Sequence, residues 1–219
     1  MASESAAPAV EARAGEDGVA NPVLHHINLK TARLDEMIAW YGLAVGMRAN
    51  FRYGPVAFLT NDGANHRLAM FTGYADDPER DTHTGMLHSA FEFGSLQDLV
   101  ARYLTLKESG IQPFICIDHG LTMSFYYRDP DGNQVELQSD NFGDWSASSE
   151  WIRTSPEFLL DPLGKAVDPE KIVSALRAGK SVWAIHESAY ANEYPPEDPP
   201  ELMDPYEGYP PPVPNQSND

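Results

Sequence analysis

Cysteine is nearly missing from this chain: one residue in 219, which excludes an internal disulfide. That residue, Cys116, lies in the apolar run Phe114-Ile115-Cys116-Ile117, which reads as a buried strand and makes the thiol a small hydrophobe rather than a nucleophile. No apolar run approaches the roughly 20 residues that a membrane-crossing helix needs. Basic residues are scarce as well, 15 Lys and Arg against 33 Asp and Glu, for a formal charge of −18. A field of that sign repels nucleic acid and anionic lipid, so neither is an expected partner. The first twenty residues lack the basic start and apolar stretch of a secretory signal, which makes cytoplasm the expected compartment. Seven of the acidic residues lie between Glu193 and Asp219, where there is no Lys or Arg. Such a stretch reads as a solvating tail.

What the chain does contain is a duplication. His26 stands eight residues before Leu34, and His88 stands eight residues before Leu96. From these anchors Leu34, Met37, Ile38 and Tyr41 are answered at a constant offset of 62 by Leu96, Leu99, Val100 and Tyr103. Each set is an i, i+3, i+4, i+7 stripe, so each histidine sits on a short apolar run feeding one amphipathic helix.

Around the repeat the organisation is legible. Residues 1–21 are expected to be disordered, with Asn21-Pro22 marking entry into the fold. A strand over 24–29 leads to a helix that Thr31 is placed to cap and that ends near Gly42, then to strands at about 47–53, 55–60 and 66–72. After a polar loop from Gly73 to Gly85 the same βαβββ order returns: a strand from Met86, a helix capped by Ser95 and ended at Gly110, and strands near 113–117, 121–128 and 133–138. Asp129-Pro130-Asp131-Gly132 is the turn before the last strand. These assignments predict an α+β domain over 22–140, two paired modules at about 22–72 and 86–140 forming a cupped mixed sheet. A helical extension over 141–192 follows, with helices at about 168–178 and 181–190, and then an acidic Pro-rich tail over 193–219. Trp145 and Trp151 are expected to pack back onto the body.

Two histidines at one position of a repeat suit a shared metal centre, imidazole being the commonest neutral metal ligand. His25 competes with His26 for that role, and the offset of 62 selects His26. Strand alternation supplies a third donor. In 133–138, Val135 and Leu137 face one way while Gln134, Glu136 and Gln138 face the other, so Glu136 projects from the opposite side of an apolar strand. His83 and His186 fit no such pattern and read as exposed or structural. Trp40, Trp145, Trp151 and Phe51 are candidates to wall an aromatic pocket, though such residues are more often core.

The runs Leu24-His25-His26-Ile27-Asn28-Leu29 and Tyr126-Tyr-Arg-Asp-Pro-Asp-Gly-Asn-Gln-Val-Glu136, with His88 between them, resemble the vicinal oxygen chelate superfamily, whose paired βαβββ modules form a metal-holding cup. Within it the chain is similar to single-domain type I extradiol ring-cleavage dioxygenases of the biphenyl-2,3-diol and catechol 2,3-dioxygenase kind. The resemblance implies that His26, His88 and Glu136 form a facial triad for Fe(II), ahead of Mn(II), with a small aromatic diol and O₂ as co-substrates. It also implies that His66 is the acid/base histidine and that Tyr126, ten residues before Glu136, hydrogen-bonds near the bound substrate oxygen. His119 matches a second-sphere histidine of some members.

Aligning the final strands puts Ala69 opposite Glu136. Glyoxalase-type relatives carry a fourth ligand near that point, and a methyl group cannot coordinate. In a straight strand His66 and Ala69 lie on opposite faces, so His66 needs a bulge or a place at the mouth of the cup. The rival expectations are a glyoxalase- or epimerase-like lyase or isomerase, and a non-catalytic sequestering protein of the same fold. Isologous pairing into a homo-oligomer is compatible with the sequence.

Overall fold

The computed structural model describes residues 22–82 and 84–202. The segment 1–21, His83 and most of the tail, 203–219, lie outside the described residues, and with them the expectations made for those positions. The chain divides into two compact units, one holding the first repeat together with Asp129–Gly132, the other holding the rest of the second repeat and the C-terminal extension.

The first unit follows the βαβββ order, with β1 (Ile27–Thr31), α1 (Leu34–Val45), β2 (Arg48–Tyr53), β3 (Val56–Thr60) and β4 (Leu68–Thr72). Its sheet runs β1-β4-β3-β2, with β1 and β4 parallel and the other pairs antiparallel. Helix α1 buries Leu34, Met37, Trp40, Tyr41, Ala44 and Val45, the apolar face that the spacing predicts, with Ile38 at its half-buried margin.

Two local expectations are corrected here. Thr31 does not cap α1. It is the last residue of β1, its hydroxyl accepts from the Arg33 N–H at 2.9 Å, and Arg33 takes the N-cap position without a side-chain cap. Nor does the helix stop at Gly42. It runs three residues further, to Val45, because the left-handed conformation that ends a helix is taken up by Gly46, at φ +69°. The turn Asp129–Gly132 is held in this unit by Arg33, whose guanidinium reaches Asp131 Oδ1 at 2.8 Å and the Pro130 carbonyl at 2.9 Å, and by the Tyr41 hydroxyl, which donates to Asp129 Oδ2 at 3.1 Å.

The second unit repeats the pattern with β5 (His88–Phe93), α2 (Leu96–Glu108), β6 (Ile115–Asp118), β7 (Thr122–Arg128) and β8 (Gln134–Asp140). Ser95 caps α2 by accepting from the Asp98 N–H at 3.1 Å. Gly110, at φ +78°, closes it in a Schellman turn, with Ile111 N–H bonded to the Leu106 carbonyl at 2.9 Å. Leu96, Leu99, Val100 and Tyr103 are all buried, as the repeated stripe requires.

The sheet order is β5-β8-β7-β6-β9, where β9 (Lys165–Ala166) is an edge strand contributed by the extension and not foreseen in the sequence. The extension also supplies α3 (Trp145–Thr154), α4 (Pro156–Leu160), α5 (Pro169–Arg177) and α6 (Val182–Tyr190). Trp151 packs on Phe142, Phe158 and Tyr190. Trp145 does not pack in: the residue is 69% exposed and its indole N–H donates to the Glu92 carboxylate at 2.9 Å. Among the described residues no helix is long and apolar enough to cross a membrane.

The register gives the duplication a structural test. Ile27 pairs with Leu68 and Asn28 with Ala69, while Ser89 pairs with Val135 and Ala90 with Glu136. Adding 62 to the first pair of strand positions turns Ile27 into Ser89 and Asn28 into Ala90, so Ala69 occupies in the first sheet the place that Glu136 occupies in the second.

The β6–β9 junction is the tightest backbone approach around a glycine. At Gly164, φ +77°, an added Cβ would lie 2.0 Å from the Asp118 carbonyl oxygen, whereas at Gly143, φ +67°, it would meet open space. Gly143→Ala is expected to cost about 1 kcal/mol, and Gly164→Ala at least about 2–3 kcal/mol. Urea denaturation midpoints check this, and equal losses at the two positions would contradict the packing of β9 against β6.

Candidate functional site

In the first unit the chain enters β1 through His25 and His26. Both precede the strand, so they are not bound to alternate across it, and their Nδ1 atoms lie 3.1 Å apart. Where alternation calls for a bulge or a place at the mouth of the cup, His66 joins them without a bulge, by a bend ahead of the strand, since β4 begins only at Leu68. The bend lays the His66 ring on Phe58, with centroids 4.9 Å apart and planes at 24°, and brings it within 4.4 Å of the His26 ring. Phe58 is the cross-strand partner of Ala69, so His66 returns to the Ala69 side of the sheet. The bulge that does occur in this sheet lies in β2, between Ala49 and Phe51. Asn65 Oδ1 lies 2.6 Å from His66 Nδ1, and since an amide oxygen only accepts, that nitrogen carries the proton and Nε2 is left with its lone pair. Burial lowers the His66 pKa from its ordinary value, and the neighbouring His26 and His25 lower it further, which favours the neutral base.

In the second unit Glu136 is 5% exposed in β8, directly opposite Tyr126 of β7. Desolvation pushes its carboxyl up. Hydrogen bonds from His88, Ser124 and Tyr126 more than offset this and hold it below the usual carboxylate range. His88 Nε2 lies 3.0 Å from Glu136 Oε2, and this contact raises the imidazole above its ordinary value against the opposing effect of burial. The Tyr126 hydroxyl donates to Glu136 Oε1 at 3.0 Å. Burial, with the Glu136 charge behind it, drives the Tyr126 phenol far above its ordinary pKa, so it is a donor and not a base.

His119, brought back toward the sheet by the β6–β7 turn, places Nε2 2.8 Å from the Tyr126 oxygen. The Leu163 carbonyl accepts from the same His119 ring, so the imidazole is held between that carbonyl and the Tyr126 hydroxyl. Burial lowers the His119 pKa, against the raising influence of Glu136.

The structure therefore groups His26 with His66 in one unit, and His88, Glu136, Tyr126 and His119 in the other. Tyr127 points the opposite way from Tyr126 and is fully buried. His186 is structural: it is buried in α6, with Nδ1 2.9 Å from Asp118 Oδ2. Of the proposed aromatic wall, Trp40 belongs to the α1 core and Phe51 lies tilted against Phe58, with ring centroids 5.5 Å apart.

Sequence reasoning missed Asn65, Phe58 and Ser124. Ser124 carried a usable signal, since it lies two residues before Tyr126 on one strand and so on the same face. Asn65 and Phe58 carried none, because their roles depend on the bend before β4.

Residues 23–137 match the family model described as Glyoxalase/Bleomycin resistance protein/Dioxygenase superfamily. The chain is 39% identical over 160 residues to biphenyl-2,3-diol 1,2-dioxygenase 3 of Rhodococcus globerulus, covering 72% of this chain and 84% of that protein. It is 38% identical over 181 residues to biphenyl-2,3-diol 1,2-dioxygenase 2 of the same organism, covering 82% of this chain and 95% of that one. A glyoxylase/bleomycin resistance protein/dioxygenase domain of known structure from Frankia sp. EAN1pec aligns at 19% identity with a TM-score of 0.49, over 55% of this chain and 93% of that one. By its family-model match and its two Rhodococcus relatives, the chain belongs to the Glyoxalase/Bleomycin resistance protein/Dioxygenase superfamily.

Proposed function

We propose that this chain is an Fe(II)-dependent extradiol dioxygenase that opens the ring of a catechol-type aromatic, of the biphenyl-2,3-diol class, beside its two hydroxyls. His26, His88 and Glu136 would hold the iron. The observation that carries the reading is the difference between equivalent positions of the two sheets, a buried, hydrogen-bonded carboxylate at Glu136 and a methyl group at Ala69. Two imidazoles and one carboxylate suit non-haem Fe(II) and leave the remaining coordination positions to small molecules. The names of the two Rhodococcus relatives support the same chemistry.

When bound, iron supplies a Lewis acid for the paired diol oxygens and a path for electrons between diol and O₂. The chain's own residues do the rest. His66, neutral and with Nε2 open, accepts a proton from the diol and returns it as the ring opens. Tyr126 stays protonated and orients the Glu136 carboxylate, while His119 fixes the direction of the Tyr126 hydroxyl. His88 and Glu136, in contact at 3.0 Å, would both serve as ligands, for which His88 would have to be neutral.

With Fe(II)-loaded protein, an oxygen electrode should record one O₂ consumed per biphenyl-2,3-diol, with a yellow ring-opened product formed at the same rate. Absence of oxygen uptake across a broad catechol panel would sink the reading. Zinc-dependent, oxygen-independent turnover would replace it with a lyase or isomerase.

Substitution separates ligand from base. Glu136→Gln should leave the purified protein with less than about a tenth of the wild-type iron, since a neutral amide replaces an anionic ligand. His66→Ala should keep its iron and lose about 10²–10⁴-fold in kcat. Iron analysis with steady-state kinetics checks both, and an iron-replete, fully active Glu136→Gln enzyme would remove Glu136 from the ligand set.

A further inference from the structure

His25 has no part in the reaction described above, yet a ligand nitrogen from each of His25, His26 and His66 lies within 4.8 Å of the others. We propose that these three imidazoles form a second cation site, one that captures a borderline divalent ion such as Zn²⁺ and thereby withdraws His26 and His66 from the diol reaction. The capture stands on the first unit alone, and only its inhibitory consequence rests on the roles proposed for His26 and His66.

The local structure prepares the cluster. Arg67 ties the two chain segments together: its guanidinium donates to the His25 carbonyl at 3.1 Å, and its own carbonyl accepts from the Ile27 N–H at 3.1 Å. His66 is oriented from below by Phe58 and from the side by Asn65, which fixes the proton on Nδ1 and presents Nε2. An acceptor on the far nitrogen is the support that metal-ligating histidines characteristically have. His25 and His26 are exposed and His66 is half-buried, so small side-chain rotations are free to tighten the set. Zn–N bonds of about 2.0–2.1 Å put two nitrogens of a tetrahedral ion about 3.4 Å apart, so the widest separation here has to close by no more than about 1.4 Å.

The donor set chooses the ion. Three nitrogens with no carboxylate suit Zn²⁺, Cu²⁺ or Ni²⁺, and at such a site Fe²⁺ and Mn²⁺ rank below them. The set at His26, His88 and Glu136 includes an anionic oxygen and is of a different character. Because His26 belongs to both, one chain cannot fill both sites with full ligand sets at once. No redox change is involved. Each neutral imidazole offers one ring nitrogen and keeps its proton on the other, and water completes the coordination.

The test is a Zn²⁺ titration of chelator-treated protein against a chromophoric competitor. It compares wild type, His25→Ala, His66→Ala and the double variant His88→Ala/Glu136→Ala, with thermal melts run alongside to establish folding. The double variant should keep a Zn²⁺ site, and adding His25→Ala to it should cost at least about tenfold in affinity, by the Zn²⁺ preference for a full imidazole set. No Zn²⁺ binding in the double variant, or an affinity unchanged when His25→Ala is added to it, would overturn the proposal. In the iron-loaded enzyme, Zn²⁺ must compete with iron for His26, so it should lower oxygen uptake in wild type only above the measured dissociation constant, with the inhibition relieved by added Fe(II), and leave His25→Ala unaffected. A wild type without oxygenase activity would refute the function proposed above, while the titration would still decide the second site.

Discussion

A carboxylate removed from water must be held by donors, and in this fold Glu136 is the residue on which that requirement falls. At 5% exposure its ionised form survives only because His88, Tyr126 and Ser124 direct protons at it from neighbouring strands. Those donors are set by register: Tyr126 lies directly across from Glu136, and Ser124 follows two residues away on the same face. The remainder of the second half-site is arranged behind that anchor, with His119 against the far side of the Tyr126 hydroxyl. His88 Nε2 reaches the same carboxylate at 3.0 Å, so the residues proposed as ligands in this unit already lie side by side.

The two repeats show how one architecture acquires unequal halves. Their parallel pairs, β1 with β4 and β5 with β8, superpose in register, and yet one carries Ala69 where the other carries Glu136. In the first unit the bend before β4 sets His66 beside His26, the counterpart of His88. The second unit has grown instead. β9 completes its sheet, and α6 returns to plug the end of β6, where Asp118, with no solvent exposure, receives His186, Asn141 and the Gly120 N–H. That buried polar junction lies next to His119 in sequence, so the extension braces the turn from which His119 reaches Tyr126.

Much of this was legible in the sequence because its signals were periodic. The heptad-like stripes of α1 and α2, the offset of 62 and the strand parity at Glu136 are consequences of 3.6- and 2-residue repeats that no tertiary context overrode. What the sequence hid were features set by single dihedral angles or by distant partners. Gly46 rather than Gly42 ends α1 because only the former adopts positive φ. Thr31 is drawn into β1 and so cannot cap. His66 escapes alternation because β4 starts two residues after it. Trp145 looked like an anchor by composition, but its neighbour turned out to be the Glu92 carboxylate, which holds the indole at the surface. His25 and His26 are adjacent and chemically alike, and only the repeat distinguished them.

That distinction, with the carboxylate at its other end, is where the functional reading is most exposed. Crystals grown anaerobically with Fe(II) and measured at the iron K-edge would place the ion by its anomalous peak alone. The account predicts a single strong peak bonded to a ring nitrogen of His26, a ring nitrogen of His88 and a carboxylate oxygen of Glu136. A peak bonded to His25 in place of His26, or one that leaves Glu136 uncoordinated, would contradict it.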